Sequence, residues 1–342
     1  MRIGLMLALV LTATVAAAQD DSVLTVGCQN RPNPLSQPWI TLLSACLEEA
    51  VFDRTLGVMA FASITVGDDG TLYAANPLTG DILALTDTDA DLLPDAPRVI
   101  ISGLHQASGL AVDNGDLYIA AAESIYRWRN GELETLVDDL PSGAGYWTGG
   151  LIVANDRLYV ATGAPCSACA AGDPARGAVL SFTRDGVDRR IEMTGLVQPR
   201  DLAMIDDRLY VVDSAADRLI SDGLRVDFPA ESHPLGMVYY EADALEPNRG
   251  HLLVVLSGST HAINLSGYAV VRIDPFTGAA ADVMPAQPVP GEANSDFTRE
   301  EMNLRESGFF PERPLDVAVS PEGWIYISMT DGRIIAMRPY TL

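Results

Sequence analysis

The stretch GGLIVANDRLYVAT, residues 149–162, decides the fold, because two short apolar runs flank a polar turn in it. Its second half, a turn followed by an apolar run, recurs along the chain. The six copies are GTLYAAN, GDLYIAA, DRLYVAT, DRLYVVD, GHLLVVL and GWIYISM, which begin at residues 70, 115, 156, 207, 250 and 323. One phrase repeated every 40–50 residues or so is typical of a repeat architecture.

Each copy has companions that complete a repeating unit. The pieces before the copies are ASITV, SGLAV, GGLIV, RDLAM, LGMVY and LDVAV, and those after them are DILAL, SIYRW, AVLSF, DRLIS, YAVVRI and RIIAM. A fourth apolar segment, such as RVIISGL or RRIEMTGL, makes each unit a four-stranded antiparallel sheet. The pattern predicts an all-β fold, a six-bladed β-propeller over residues 58–342. Two unrelated β domains would not share one phrase throughout.

The last two units are separated by a longer gap, which predicts an insertion at about residues 285–314. Its TREE sequence, residues 298–301, is a capping box that predicts the start of a short helix. Two interpretations of this insertion remain open: a lid over the propeller face, and a surface loop without a function.

The first eighteen residues predict a secretory signal peptide. Arg2 precedes an apolar run that ends in Ala16, Ala17 and Ala18. No later segment is apolar for the roughly 20 residues that a membrane span needs. We therefore expect a periplasmic or secreted protein, with residues 19–57 as a disulfide-stapled N-terminal segment that holds the ring closed.

The charge of the chain excludes some partners. With 22 Lys and Arg against 46 Asp and Glu, the formal net charge is −24, and no basic run interrupts it. Nucleic acids and anionic lipid surfaces would be repelled. A small molecule remains as the expected partner.

The four cysteines predict disulfides, because thiols pair in an oxidising compartment. Three pairings are open, and the local one joins Cys28 to Cys46 and Cys166 to Cys169. Cys166 and Cys169 follow a strand rather than opening a helix, which favours a structural role over a redox one.

Propeller geometry places a candidate site where the innermost strands begin, at the mouth of the central channel. Aligning the units on their inner strands puts polar and aromatic residues in one ring: Gln106, Trp147, Gln198, His233 and Arg313. One residue earlier stand His105, Tyr146, Val197, Ser232 and Glu312. Such a collar suits a small hydroxylated or carboxylated ligand, although polar residues there also simply face channel water.

Several phrases resemble the bacterial glucose/sorbosone dehydrogenases that use pyrroloquinoline quinone (PQQ). They are GLHQASGLAV, GYWTGGLIVANDRLYVATGAPCSAC, GLVQPRDLAM, SHPLGMVYY, GSTHAINLSGYAVVRI and RPLDVAVSPEGWIYIS. The resemblance runs from about residue 58 to the end of the chain. It implies an exported sugar (aldose) dehydrogenase, with a His base and cationic side chains around the quinone.

The chain departs from that family where the chemistry would take place. The family's His-x-Thr-Arg phrase reads Tyr146-Trp147-Thr148-Gly149 here, which puts Tyr146 at the position of the base. Tyrosine, with a reference pKa near 10, is a poor base at neutral pH. Expected cations are replaced at Gly149, Val197 and Ala262, while Arg200 is new.

Quinone binding would therefore rest on Arg200, Arg313 and His233 or His105. Two functions stay open: a PQQ-dependent oxidoreductase rebuilt around Tyr146, with an unknown electron acceptor, and a catalytically inactive propeller that binds a sugar, polyol or protein partner. A propeller lactonase is less favoured, because the two collar levels offer Glu312 as their one carboxylate.

The segment DTDADLLPD, residues 87–95, raises the question of calcium. Asp87, Asp89, Asp91 and Asp95 fall at positions one, three, five and nine of an EF-hand-like loop. Leu92 and Arg98 stand where that loop requires Gly and Glu. Calcium and a solvated acidic loop are both compatible with this sequence.

Overall fold

The structure, a computed structural model of the chain, describes residue 28 and residues 45–91, 93–168, 172–260, 266–284 and 313–339. The expected signal peptide and most of the expected insertion lie outside these residues. Within the described residues, 24 strands form six four-stranded antiparallel sheets. The predicted all-β, six-bladed propeller is confirmed.

The strands follow the repeating pieces of the sequence. Blade one contains β2 (Ser63–Val66), β3 (Leu72–Asn76), β4 (Asp81–Leu85) and β5 (Arg98–Ile101). Blade two contains β6 (Gly109–Asp113), β7 (Asp116–Ala121), β8 (Ser124–Arg129) and β9 (Glu132–Val137). Blade three contains β10 (Leu151–Ala154), β11 (Arg157–Thr162), β12 (Ala178–Thr183) and β13 (Arg190–Thr194). Blade four contains β14 (Pro199–Ile205), β15 (Arg208–Asp213), β16 (Arg218–Ser221) and β17 (Leu224–Asp227). Blade five contains β18 (Pro234–Tyr240), β19 (His251–Leu256), β20 (Ala269–Ile273) and β21 (Ala280–Met284). Blade six contains β22 (Pro314–Val319), β23 (Ile325–Met329), β24 (Arg333–Pro339) and β1 (Ala45–Phe52).

Tight turns join the first and second strands of several blades. In the turn between β10 and β11, Asn155 and Asp156 both have positive φ, at 49° and 57°. Asp206 and Asp207 repeat this conformation between β14 and β15, at 46° and 62°. Two-residue hairpin turns need positive φ at both central positions, which Asn and Asp tolerate better than most residues. The polar turns in the repeated phrase therefore specify the hairpins.

The ring closes through the N-terminal strand. β1 pairs antiparallel with β24, so residues from the N-terminal segment form the outer strand of the last blade. Across this pair Arg338 Nε donates to Glu48 Oε1 at 2.9 Å, a second guanidinium nitrogen donates to Oε2, and both side chains are fully buried. The Arg338 guanidinium also lies 4.9 Å from the Trp324 ring centre. The two ends of the chain are thus joined by a desolvated ion pair.

Disulfides reinforce the two regions that the sequence indicated. Cys28 is bonded to Cys46 at the start of β1, which confirms this part of the local pairing. Cys166 is disulfide-bonded as well, while Cys169 lies outside the described residues. Among the described residues, no helix is long and apolar enough to cross a membrane.

We expect Arg338→Met to lower the free energy of unfolding by roughly 3–5 kcal/mol, because it leaves the Glu48 carboxylate buried without its cation. The matched control is Arg249→Met, whose partner Asp243 forms an exposed pair with it, and this change should cost less than about 1 kcal/mol. Urea denaturation of the oxidised protein measures both. Equal losses in the two variants would show that the β1–β24 ion pair does not hold the ring.

The inner strands approach so closely that side-chain size at their starts is restricted. A Cβ at Gly150 would lie 2.5 Å from Asp201 Oδ1, and one at Gly236 would lie 2.2 Å from Asp316 Oδ1. Each of these carboxylates also binds the following blade: Asp201 Oδ2 accepts from Met237 N at 2.7 Å, and Asp316 Oδ2 accepts from Ile64 N at 2.7 Å. A glycine in the preceding blade leaves space for each carboxylate at the ring centre. A backbone amide in the following blade donates a hydrogen bond to it.

Replacing Gly236 with Ala should destabilise the protein by about 1–3 kcal/mol, because the new methyl group collides with the Asp316 carboxylate. Gly172→Ala is the control, since nothing lies within 4 Å of a Cβ at Gly172, and it should change stability by no more than about 0.5 kcal/mol. Thermal and urea unfolding give the comparison. If Gly236→Ala leaves the stability of the protein unchanged, the inner strands can move apart without a loss of free energy.

Candidate functional site

A cavity of about 310 Å³ opens where the inner strands begin, and we call it the mouth cavity. It is lined by Met59, Ala62, Pro77, Ser108, Gly145, Tyr146, Trp147, Gln198, Arg200 and Leu235. The lining combines an aromatic pair, several apolar groups, one amide, one hydroxyl and one guanidinium. Small-molecule sites share this composition, in which a few polar groups orient a ligand against apolar walls.

Four of the residues predicted from sequence converge here. Tyr146, Trp147, Gln198 and Arg200 come from two consecutive blades and line the same cavity. Four residues that the sequence predicted to bind a ligand are absent from the described lining: His105, Gln106, His233 and Arg313.

The four absent residues make local contacts of their own. The His105 side chain is 71% exposed, with Nδ1 3.4 Å from Glu123 Oε2. Gln106 and His233 have positive φ, at 53° and 47°, so each stands at a backbone turn. The backbone of Arg313 is paired with Thr330, whose N donates to its carbonyl at 2.9 Å.

Arg176 connects backbone segments next to the aromatic pair. Its Nε donates to Gly163 O at 2.6 Å, and its terminal nitrogens donate to the carbonyls of Ser142 and Ala144 at 2.8 and 3.0 Å. Tyr146 N in turn donates to Ala164 O at 2.9 Å. One guanidinium therefore joins the segment before Tyr146 to the end of the neighbouring strand.

Trp147 remains accessible at the mouth, because 38% of its surface is exposed. The next residue, Thr148, is buried, and its Oγ1 donates to Ala122 O in the preceding blade at 2.5 Å. Thr148 thus fixes the chain next to Trp147, whose exposed indole surface is accessible to a ligand at the mouth.

Gln198 is positioned by a buried carboxylate. Asp213 Oδ1 accepts from Gln198 N at 2.7 Å, and its Oδ2 accepts from Val197 N at 3.1 Å and from Arg218 at 2.8 Å. Asp213 is fully buried, so its charge depends on these donors. This arrangement fixes the turn that aims Gln198 at the mouth.

Arg200 is the one cation of the mouth cavity among the described lining residues, and it lies beside Asp201 and Asp316. Burial lowers the pKa of the guanidinium, and the two carboxylates oppose that effect. Burial raises the pKa of Asp316 to about 6, and burial together with the charge of Asp316 raises that of Asp201 well above its usual value. Backbone hydrogen bonds and, to a smaller extent, the charge of Arg200 oppose both shifts. The three groups form one charge cluster, in which Asp316 is buried and Arg200 and Asp201 are partly exposed.

The two carboxylates face a second space, the channel cavity, of about 330 Å³. It is lined by all six inner strands, with Asp201 and Asp316 at the starts of β14 and β22. Arg200 lines the mouth cavity instead. The charge cluster thus lies between the two cavities.

Gly149, where the sequence resemblance predicts a cation, has no room for a side chain. A Cβ at Gly149 would lie 2.2 Å from Pro199 O and 3.2 Å from Ala161 Cβ. An Arg at this position would therefore need a different spacing between blades three and four. Val197 is held through its backbone as described above, and Ala262 lies outside the described residues.

The acidic loop brings three of its four carboxylates together. Oxygens of Asp87, Asp89 and Asp95 lie within 4.8 Å of one another, a spacing that fits a metal ion. Asp91 is not part of this group, and its Oδ1 accepts from Leu93 N at 2.9 Å. Asp95 Oδ2 accepts from Thr88 N at 2.7 Å, so the loop also satisfies its own oxygens. Calcium here stays a prediction.

Sequence reasoning missed the residues that position the site. Arg176 and Asp213 act through backbone atoms distant in sequence, and no motif marks them. Asp201 and Asp316 lie in the repeated inner-strand pieces RDLAM and LDVAV, and no role was predicted for them from the sequence. The signal for the last two was present, since a carboxylate at a position that other blades give to glycine indicates a special contact.

Comparison with known proteins supports the fold. The model of the strictosidine synthase-like N-terminal family matches residues 304–337, too short a part to place the chain in that family. The PQQ domain of pyranose dehydrogenase from Coprinopsis cinerea, solved in its holo form, is similar over 90% of this chain and 98% of that one, with 14% identity and a TM-score of 0.60. A calcium structure of a Trichoderma reesei carbohydrate-active enzyme of family AA12 is similar over 91% and 98%, with 12% identity and a TM-score of 0.59.

A protein of different chemistry is also similar. Virginiamycin B lyase from Staphylococcus aureus matches over 86% of this chain and 99% of that one, with 14% identity and a TM-score of 0.53. No curated protein matches the chain. At these identities the similarity shows a propeller fold, of the kind found in both oxidoreductases and lyases, and function must be argued from the site.

The charge cluster predicts a pH dependence. A carboxyl whose pKa is raised in the fold stabilises the protein at low pH, and this contribution is lost as pH rises from about 4 through the folded pKa, about 6 for Asp316. Arg200→Met removes the charge that limits this loss. We expect this change to lower the free energy of unfolding by about 1 kcal/mol at pH 8 and by clearly less at pH 4.5, as measured by urea denaturation. If the loss of unfolding free energy is the same at both pH values, Arg200 does not stabilise the ionised carboxylates.

Proposed function

We propose that this protein is an exported six-bladed propeller that binds a hydroxylated small molecule, a sugar or polyol, in the mouth cavity. The observation that carries the proposal is the pairing of Tyr146 and Trp147 with Gln198, Ser108 and Arg200 in one cavity. Aromatic faces pack against the C–H faces of such ligands, and amide, hydroxyl and guanidinium groups bind their oxygens.

Export is supported by the cysteines. Cys46 and Cys166 are both disulfide-bonded, and disulfides persist in oxidising compartments. Together with the expected signal peptide, they favour the periplasm or the exterior. A periplasmic or secreted location suits a protein that meets small molecules from the environment.

The mouth cavity does not fit PQQ. The quinone carries several carboxylates, whereas the described lining offers the single cation Arg200, beside Asp201 and Asp316. The position at which the related dehydrogenases are expected to carry an Arg is Gly149, where Pro199 O leaves no room. The resemblance to glucose/sorbosone dehydrogenases thus extends to the scaffold, and the quinone cradle is not reproduced in the described residues.

The described lining also lacks the groups of general acid-base catalysis. It contains no imidazole and no carboxylate, since the acidic members of the cluster line the channel cavity instead. Tyr146 stands where the family's base is expected, beside Trp147 rather than beside a partner that would take up its proton. Binding is therefore the function that these side chains support best, and it accords with the second of the two functions left open by the sequence.

A panel of monosaccharides, sugar acids and polyols tests the proposal by thermal shift and calorimetry. At least one member should bind the mature protein saturably and raise its melting temperature. Trp147→Ala should weaken that binding about tenfold or more, because the stacking surface is lost. Phe276→Ala is the control, as Phe276 is an exposed aromatic residue outside the cavity lining. If no member of the panel binds, or if both variants behave alike, the mouth cavity is not a carbohydrate site.

Titration with PQQ and calcium decides between binding and quinone catalysis. We expect no saturable PQQ binding in calorimetry and no aldose-dependent dye reduction. Micromolar PQQ binding together with turnover would overturn the assignment and restore the dehydrogenase. In that case Tyr146→Phe should abolish turnover if the phenol is the base.

A further inference from the structure

The Arg200 side chain has hydrogen-bonding capacity that the described protein does not use. Its Nε is buried without a hydrogen-bond partner, and no hydrogen bond from its guanidinium to another described residue is present. Arg carries five N–H donors in a planar fork. A donor left unpaired away from water, as Nε is here, costs free energy. An acceptor from outside the protein would relieve that cost.

The neighbouring carboxylates do not fill this role, because their oxygens are taken by backbone amides. Asp201 accepts from Leu202 N at 2.8 Å and from Met237 N at 2.7 Å. Asp316 accepts from Val317 N at 2.8 Å and from Ile64 N at 2.7 Å. These bonds hold the blades together and direct the oxygens toward the backbone. Arg200 therefore acts on them as a nearby charge, and its donors remain available.

The guanidinium also lines the same cavity as the aromatic pair. Tyr146, Trp147 and Gln198 offer packing surface and neutral polar groups, while Arg200 supplies the charge. A planar carboxylate is the acceptor that matches the guanidinium fork with two parallel hydrogen bonds. A hydroxyl group has only one oxygen, so it does not match the two parallel donors of the fork, and it brings no charge.

We infer that the mouth cavity binds an acidic sugar or sugar acid, whose carboxylate docks on Arg200 while its hydroxylated carbon skeleton packs on Tyr146 and Trp147. This inference rests on the proposed function and narrows it to one ligand class. The charge of the ligand is limited as well. Asp201 and Asp316 lie near the one guanidinium of the described lining, and their negative charge disfavours a phosphate dianion more than a carboxylate monoanion.

Matched pairs of ligands test the inference on the unmodified mature protein. Glucuronate and glucose differ only at C6, galacturonate and galactose differ in the same way, and gluconate and sorbitol differ only at C1. Calorimetry at pH 7 should show the acid of the preferred pair binding about tenfold or more tightly than its neutral partner, the effect of a hydrogen bond to a charged group. Glucose 6-phosphate should bind more weakly than glucuronate.

Variants of the cation identify the contact. Arg200→Met should abolish the preference for the acid and leave weak binding of the neutral sugar, while Arg200→Lys should keep part of it. Arg225→Met, which changes an exposed Arg on the outer strand of the same blade, should leave the preference intact. Circular dichroism shows whether each variant folds. If Arg200→Met does not fold, the ratio of acid affinity to neutral-sugar affinity in the unmodified protein still tests the inference.

The outcomes separate the two proposals. Neutral sugars that bind as tightly as acids would overturn the inference and leave the proposed function standing. A preference for acids that survives Arg200→Met would also overturn the inference, because a group other than Arg200 would then bind the ligand carboxylate. If neither acids nor neutral ligands bind, the proposed function itself fails.

Discussion

The structure depends on two carboxylates at the centre of the ring. Asp201 and Asp316 each reach the blade that follows, where a backbone amide donates to them, and each lies against a glycine of the blade that precedes it. The inner strands can approach this closely only because Gly150 and Gly236 carry no side chain. Bringing two acids into the centre costs solvation energy, and the raised pKa of both groups reports that cost. Arg200 offsets part of it with its charge.

This constraint also shapes the functional site. The cation needed beside the buried carboxylates lies at the start of β14, so its free donors face the mouth of the channel rather than its interior. The same close packing leaves no room for a side chain at Gly149. One requirement, a tight ring of inner strands, thus bears on both Arg200 and Gly149. The cavity is left with one charge, an aromatic pair and neutral polar groups, which suits recognition better than quinone chemistry.

The closure of the ring solves a different problem. Without β1, blade six would have only three strands and the outer edge of β24 would be unpaired. β1 supplies the missing outer strand of blade six, and the buried Glu48–Arg338 pair fixes its register on β24. The disulfide at Cys46 then ties the chain before β1 to the same blade. Blade six is built from both ends of the chain, so the inner ring is complete only after the whole chain has been assembled.

The sequence by itself determined the blades. A turn and an apolar strand repeated six times, with Asn and Asp at the turns, specify hairpins locally, because strand alternation and turn chemistry act over a few residues. The same pattern located Tyr146, Trp147 and Gln198 at strand starts, and the resemblance to the dehydrogenase phrases singled out Arg200. The structure brings these four residues into one cavity. The tertiary structure alone decided which collar residues converge, and it left His105, Gln106, His233 and Arg313 out of the described lining. It also decided that Arg176 and Asp213 position the site and that Asp201 and Asp316 share a charge cluster with Arg200. These relations join residues that are far apart in sequence or lie in different blades, and they depend on how closely neighbouring blades pack, a distance that local pattern does not encode.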